Sequence, residues 1–154
     1  MPVFTPAHLG KWEPLYRDLL EGETLPLTVE GTWMLADRPG LMAVFDDSEV
    51  VFIGETEKIG KELQAAVAGG AESALRSMIA IVELGASRKN AVSRAKSGPL
   101  AQRVSRRVAK MRYRVVPAPV TQLKALSEAF TVVADPRYNG PTAQANAALD
   151  ALAK

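Results

Sequence analysis

The sequence predicts an α/β domain in which a small antiparallel β-sheet is flanked by helices. Two runs rich in β-branched and aromatic residues, 41–45 and 50–53, are joined by the turn-forming residues 46–49, and this pattern indicates a hairpin. Apolar residues then recur every four positions from Ile59 to Val67, which indicates a helix. At 154 residues the chain is long enough to bury one core. We therefore expect one compact domain.

Apolar spacing and residues that begin or end helices predict the remaining elements. The predicted helices are residues 12–20, a helix capped by Thr56 and ended by Gly69, residues 72–84, a helix from Pro99 to Met111, a helix capped by Thr121 and ended at Asp135, and an alanine-rich helix from Pro141. Val82 is placed on a buried helix face, and Trp33 is expected to anchor the connection into the hairpin. Residues 1–39 form an N-terminal helix and connection, 40–139 the core, and 140–154 a C-terminal helix.

Composition excludes several classes of site. The chain has no cysteine and one histidine, so disulfides, thiolate metal sites and multi-histidine metal sites are ruled out. The first residues lack the basic and then apolar pattern of a signal peptide. The longest nearly apolar run, residues 77–84, is too short to cross a bilayer. We expect a soluble, cytoplasmic protein with no membrane partner.

Charge is divided sharply along the chain, although the net charge is only +2. Residues 1–83 hold 14 acids and 6 bases, whereas residues 84–154 hold 3 acids and 13 bases. No acid lies between Glu83 and Glu128, and we call that stretch the basic interval. Because its cations are not interspersed with acids, a polyanion is the expected partner. The sequence thus predicts binding to nucleic acid, with DNA as the expected form.

Ten residues of the basic interval are the candidate phosphate contacts. They are Arg88, Lys89, Arg94, Lys96, Arg103, Arg106, Arg107, Lys110, Arg112 and Arg114. On the helix that begins at Pro99, the cations from Arg103 to Lys110 fall on one arc beside the buried stripe. Because side chains alternate along a strand, Arg112 and Arg114 are predicted to lie on one face of the strand that follows this helix. A solvated surface is the alternative interpretation, but the arginine content favours phosphate contacts, which position a backbone without specifying its sequence.

Three short segments serve as landmarks by their order and spacing along the chain. Gly40-Leu41-Met42 and Phe52-Ile53-Gly54 are separated by nine residues, and Pro136-Arg137-Tyr138-Asn139 lies far downstream. In the order and spacing of these segments, residues 40–139 resemble the GIY-YIG nuclease family. The resemblance implies a hairpin, a helix after the second segment, and a later helix that runs into the segment ending at Asn139. It also implies a fold on which one-metal phosphodiester cleavage is carried out.

The resemblance identifies the positions of the catalytic residues, and this chain departs from the family at each. Family members carry a Tyr in both strand segments, where this chain has Met42 and Phe52. Glu62 stands at the position of a phosphate-stabilising Arg, Ala66 at that of a His or Tyr, and Ser127 at that of the metal-binding Glu. Glu62 would repel phosphate, and Ser127 is a weak ligand for Mg²⁺. The resemblance implies a degenerate member that has lost catalysis and needs no cofactor.

Two other functions stay open on the sequence. A divergent Mg²⁺-dependent endonuclease would use shifted carboxylates, either Glu128 beside the metal position or a site built from Glu55, Glu57 and Glu62. A protein-interaction module would use the oppositely charged halves of the chain to engage other proteins or itself. The sequence separates neither DNA from RNA nor one oligomeric state from another.

Overall fold

A computed structural model describes residues 4–69 and 72–153 and confirms the α/β class. Its strands are β1 (Leu25–Pro26), β2 (Gly40–Asp46), β3 (Glu49–Thr56) and β4 (Arg112–Pro117). Its α-helices are α1 (Glu13–Glu21), α2 (Val29–Thr32), α3 (Ile59–Ala68), α4 (Ala74–Met78), α5 (Arg88–Ser93), α6 (Pro99–Val108), α7 (Leu123–Ala134) and α8 (Pro141–Ala153). Short 3₁₀ turns precede α1 and α7, at Pro6–Trp12 and Val120–Gln122, and a π turn at Ile79–Glu83 continues α4.

The predicted hairpin of β2 and β3 lies at one side of a four-stranded antiparallel sheet with the order β1-β4-β2-β3. A two-residue connection joins the two strands, and Asp47 adopts φ of 56° there. Asp is one of the few non-glycine residues that tolerate this left-handed conformation. The hairpin places Met42 directly opposite Gly54, so that the two strand segments of the predicted frame lie side by side.

Side chains of the central strands alternate between two hydrophobic cores, as the two-residue period of a strand requires. Met42, Val44 and Phe52 point to the face covered by α3, α4 and α6. Residues such as Leu41 and Ile53 point to the opposite face, which α1 and α7 cover. Helices α1 and α7 therefore pack on the face of the sheet opposite to α3, α4 and α6.

The short strand β1 was not predicted from the sequence. It pairs with β4 through two residues, Leu25 opposite Tyr113 and Pro26 opposite Arg112. Two residues provide too little alternation to be recognised as a strand, and Pro26 argues against one. Its position at the sheet edge explains why the proline is tolerated there. Tyr113 is buried and donates a hydrogen bond from its hydroxyl to the carbonyl of Gly31.

Two predicted helix caps are wrong in their position. Thr56 ends β3, and its hydroxyl accepts a hydrogen bond from the amide of Lys58 at 3.0 Å, outside the helix. The side chain that reaches into the first turn of α3 is Asp37, whose Oδ1 accepts a hydrogen bond from the amide of Lys61 at 2.7 Å. Thr121 lies within the 3₁₀ turn that leads into α7 rather than at its cap. A cap supplied from 24 residues upstream leaves no local signal in the sequence.

Two residues predicted to be buried are exposed. Val82 has 44% of its surface exposed, because the helix continues past Met78 as a π turn whose wider spacing changes the direction of later side chains. Trp33 has 65% of its surface exposed and does not anchor the connection into the hairpin. The prediction placed Val82 by regular helical spacing and Trp33 by its hydrophobicity, and hydrophobicity does not determine the direction of an individual side chain.

The C-terminal helix α8 begins beside the end of α7. Asp135 has φ of 50° and ends α7, and its carboxylate accepts hydrogen bonds from the amide and the hydroxyl of Thr142 at 3.0 and 2.6 Å. Farther along, Leu149 and Leu152 are exposed. No helix within residues 4–69 and 72–153 combines the length and apolar character needed to cross a membrane.

Candidate nucleic-acid interface

The first part of the basic interval folds into α5 and α6, joined by a turn. The hydroxyl of Ser87 accepts a hydrogen bond from the amide of Asn90 at 3.1 Å and so caps α5. Gly98, with φ of 94°, leads into α6, where Pro99 fits the first turn because that position needs no amide donor. Val104 and Val108 are buried as predicted. Their burial fixes which side of α6 faces the solvent.

Eight of the ten candidate contacts are exposed, and seven of these, all but Arg112, make neither an ion pair nor a side-chain hydrogen bond within the part of the chain that the structure describes. These seven, which we call the exposed cations, are Arg88, Lys89, Arg94, Lys96, Arg103, Arg106 and Lys110. They lie on α5, on the turn after it, on α6 and just beyond α6. Their charges are therefore available to a partner in solution.

Arg107 has a different environment from its neighbours on α6. Its Nη2 lies 3.2 Å from the carboxylate of Asp46 and 3.5 Å from that of Glu83. Arg137 contacts the same two carboxylates, and its Nη2 lies 2.8 Å from Glu49. We call these five residues, together with Tyr138, the Glu83 network. The network joins α6 to the β2–β3 turn and to the segment that precedes α8.

Protonation equilibria within the Glu83 network reflect its contacts. Burial alone would raise the pKa of Glu83, but hydrogen bonds from Tyr138 and Arg137 stabilise the carboxylate and hold its pKa below the ordinary value. Burial, followed by the hydrogen bond to Glu83, raises the pKa of Tyr138 to about 12. The tyrosine hydroxyl accordingly keeps its proton and acts as a donor to Glu83 at 3.0 Å.

Arg112 and Arg114 also make contacts within the protein. Arg112 donates hydrogen bonds to the hydroxyl and the carbonyl of Thr24, both at 2.8 Å. Arg114 donates to the carbonyls of Asp18 and Glu23 at 2.6 and 2.9 Å and pairs with the carboxylate of Asp18. The two guanidinium groups tie β4 to α1 and to the segment that follows it. With Arg107, they are the three candidate contacts that the fold itself engages.

Arg76 is a buried charged residue that the sequence analysis missed. Only 4% of its surface is exposed. Its Nη1 donates to the carbonyl of Ala66 at 3.0 Å, and its Nη2 donates to the carbonyl of Ala101 at 3.1 Å and to the hydroxyl of Ser105 at 2.9 Å. These bonds connect α3, α4 and α6. A single arginine on the mainly apolar helix predicted at residues 72–84 was the signal that could have identified it.

A cleft of about 540 Å³ opens beside Arg76. Its polar lining is formed by Arg76, Lys96, Ser97, Gln102, Ser105 and Arg106. We call it the Arg76 cleft. No carboxylate is found among the described residues that line it. The cleft is thus a concave, positively charged part of the surface that carries the exposed cations.

The positions that the GIY-YIG resemblance assigns to catalysis are mostly in the core. Met42, Phe52 and Ala66 are buried on the α3 side of the sheet. Glu62 is partly exposed in a cleft that also contains Glu57 and Glu72. Burial, and then the charge of Glu72, raise the pKa of Glu62.

Ser127 and Glu128 lie in a separate cleft of about 430 Å³, which shares no lining residue with the cleft of Glu62. Asn139 also lines this second cleft and donates a hydrogen bond from its side chain to the carbonyl of Ile53 at 2.6 Å. The amide of Tyr138 bonds to the carbonyl of Val51 at 2.9 Å, so the segment covers the edge of β3. The three landmark segments of the sequence therefore meet at the hairpin.

The carboxylates considered for a metal site do not converge. Glu57 and Glu62 share one cleft, Glu128 lines the other, and Glu55 lines neither. Within residues 4–69 and 72–153, no group of three potential metal-ligating side chains is close enough together to hold an ion.

Comparisons with known proteins add no relative to this description. No protein-family model, curated protein or solved structure matches the chain.

Proposed function

We propose that the chain binds nucleic acid, with DNA as the expected form, through phosphate contacts made by the exposed cations. The observation that carries this proposal is the arrangement of seven exposed basic side chains on α5, α6 and their connections, without an ion pair in the described chain. Arginine and lysine contacts to phosphates release bound counterions and account for most affinity that is independent of sequence. Nothing about this surface requires base recognition.

The exposed cations are better explained by a partner than by the needs of the fold. Arg107, Arg112 and Arg114 show how the fold uses cations from the same interval, since each contacts groups from the first half of the chain. The exposed cations make no comparable contact within the described residues. Like charges held close together also repel one another, and a bound polyanion would relieve that repulsion.

We further propose that the chain is a degenerate GIY-YIG-like protein without nuclease activity. The meeting of the three landmark segments at the hairpin supports the resemblance. Met42 and Phe52 supply no hydroxyl, Glu62 carries the charge opposite to that of the expected arginine, and Ser127 replaces a carboxylate. Because groups that act as a catalytic unit fail together, such a site is expected to be inactive.

A titration with fluorescent duplex DNA, single-stranded DNA and duplex RNA tests binding. With about four to six phosphate contacts, affinity should fall by roughly two to three orders of magnitude between about 50 and 200 mM salt. Fluorescence anisotropy measures both the dissociation constant and its salt dependence. Binding that does not change with salt would contradict the proposal.

The triple variant Arg103→Ala, Arg106→Ala and Lys110→Ala locates the surface. It should weaken binding to all sequences and reduce the salt dependence by about one phosphate contact for each charge removed. Arg107 is left unchanged because its loss would disturb the Glu83 network. The matched control, Arg38→Ala, Lys61→Ala and Lys124→Ala, removes three exposed charges from other parts of the surface. Equal losses in both triple variants would show that only net charge matters.

A further inference from the structure

Arg76 carries a positive charge that its contacts do not neutralise. It is the one charged residue that is buried among the described residues. Its described partners are two carbonyls and one hydroxyl, and no described carboxylate forms an ion pair with it. A guanidinium stays protonated in proteins, so the charge remains even though burial lowers its pKa. A buried charge without a counter-ion is costly.

The three hydrogen bonds explain the position of the side chain and leave the charge unexplained. Ala66 lies in the last turn of α3, where carbonyls lack partners within the helix, and Arg76 satisfies one of them. Neutral donors also satisfy carbonyls. A fixed positive charge at the wall of an open cleft has an additional consequence, because it attracts anions into that cleft.

Lys96 and Arg106 make the Arg76 cleft suitable for a phosphate. The first lies on the turn before α6 and the second on α6 itself, so cations border the cleft from two elements. Hydroxyl groups of Ser97 and Ser105 add uncharged donors to the lining. The volume of about 540 Å³ is typical of pockets for small molecules and exceeds the needs of one phosphate group.

We propose that the Arg76 cleft is a phosphate-binding subsite in which one phosphate of a nucleic acid is held. The exposed cations outside the cleft then attract and align the backbone, and the cleft holds it at a fixed point. That the phosphate belongs to a nucleic acid rests on the proposed function. The phosphate chemistry itself is shared with free inorganic phosphate.

Two double variants distinguish a fixed subsite from a diffuse positive surface. Lys96→Ala with Arg106→Ala removes two charges that line the cleft, and Arg103→Ala with Lys110→Ala removes two exposed charges that do not. Because charged hydrogen bonds to a held phosphate are stronger than screened surface contacts, the first variant should lose about tenfold more DNA affinity than the second. Thermal unfolding of each variant checks that both remain folded. Losses within about twofold of each other would overturn the subsite, since screened charges contribute similarly.

A titration of the full chain with inorganic phosphate at constant ionic strength provides an independent measurement. Backbone amide signals of Ser97 and Gly98 should shift in the NMR spectrum of the wild type and should shift less in the Lys96→Ala, Arg106→Ala variant. Ser127, in the separate cleft, serves as the reference position. The absence of selective shifts near Ser97 would count against the subsite.

The two measurements separate failure of the subsite from failure of the proposed function. If the wild type binds DNA and both double variants lose equal affinity, nucleic-acid binding stands and the subsite is wrong. If the wild type binds phosphate at Ser97 and Gly98 and binds no nucleic acid, the subsite stands and the proposed function is wrong. If neither ligand binds, both are wrong.

Discussion

The basic interval contains two kinds of cation, and their difference depends on the first half of the chain. Arg107 contacts Asp46 and Glu83, and Arg114 contacts Asp18. All three acids precede the interval. The exposed cations, including Arg103 and Arg106 on the same helix as Arg107, have no such partner in the described chain. A run of positive charge in a sequence is therefore not one functional unit.

The acids of the first half of the chain also differ in the partners that they meet. Some acids of the first half meet arginines of the second half, and others pair locally, as Glu13 and Glu21 do with Arg17. Acids such as Glu57 and Glu62 border a cleft that shares no residue with the Arg76 cleft. Positive charge consequently remains in excess on α5 and α6. This excess is the basis of the proposed interface.

The largest expected effect on stability is that of replacing Arg76, a buried cation that extends the comparison beyond the partly exposed Arg107. Arg76→Ala should lower the free energy of unfolding by about 3 kcal/mol, because it removes three hydrogen bonds and packing between helices. Urea denaturation measures this loss, and Arg94→Ala, on the adjacent exposed surface, is the control. A loss below about 1 kcal/mol would show that α3 and α6 do not depend on this side chain.

Arg107 and Arg103 provide the sharpest test of the difference between the two kinds of cation, since they lie four residues apart on α6. Arg107→Ala leaves the partly buried carboxylates of Asp46 and Glu83 with fewer partners, and we expect a loss of about 1–2 kcal/mol after allowance for solvent screening. Arg103→Ala should change stability by less than about 0.5 kcal/mol. DNA affinity should show the reverse order. Equal effects on stability would remove the distinction between the two kinds of cation.

A smaller effect is expected from pH through Glu83. Its pKa is lower in the folded chain than in the unfolded chain, so the unfolded chain binds more protons in acid. The stabilisation is fully present above the unfolded pKa of about 4.3 and is lost as pH falls through the folded pKa. The difference in urea midpoint between wild type and Glu83→Gln should shrink over that range. A difference that stays constant with pH would exclude Glu83 as a source of the pH dependence of stability. Asp150→Asn on α8 controls for the loss of an exposed acid.

The smallest expected effect is that of metal ions on DNA cleavage, since we expect no nuclease activity. Purified protein with Mg²⁺ or Mn²⁺ should not nick supercoiled plasmid, and Glu128→Ala should change neither this result nor DNA affinity. Gel electrophoresis of the plasmid measures nicking directly. Metal-dependent cleavage by the wild type that is abolished in Glu128→Ala would favour the divergent endonuclease and contradict the inactive interpretation.

Residue composition was sufficient to predict the hairpin, and apolar spacing was sufficient for most helices. The runs 41–45 and 50–53 pair across a turn as predicted, and Val104 and Val108 of α6 are buried as predicted. The caps assigned to Thr56 and Thr121 were wrong because the residues that begin α3 and α7 depend on contacts and turns outside the local pattern. Val82 was misplaced because a π turn changes the helical period, which a fixed spacing of 3.6 residues does not anticipate.

The sequence by itself determined the α/β class, the separation of charge between the two halves, and the absence of side chains that could form disulfides. These properties depend on composition and on local spacing, which are present before the chain folds. Only the tertiary structure decided which cations meet an acid, because Arg107 and Asp46 are 61 residues apart in the chain. It also decided that Arg76 is buried beside a cleft bordered by Lys96 and Arg106. Electrostatic partners depend on distance in space, and the order of residues alone does not determine that distance.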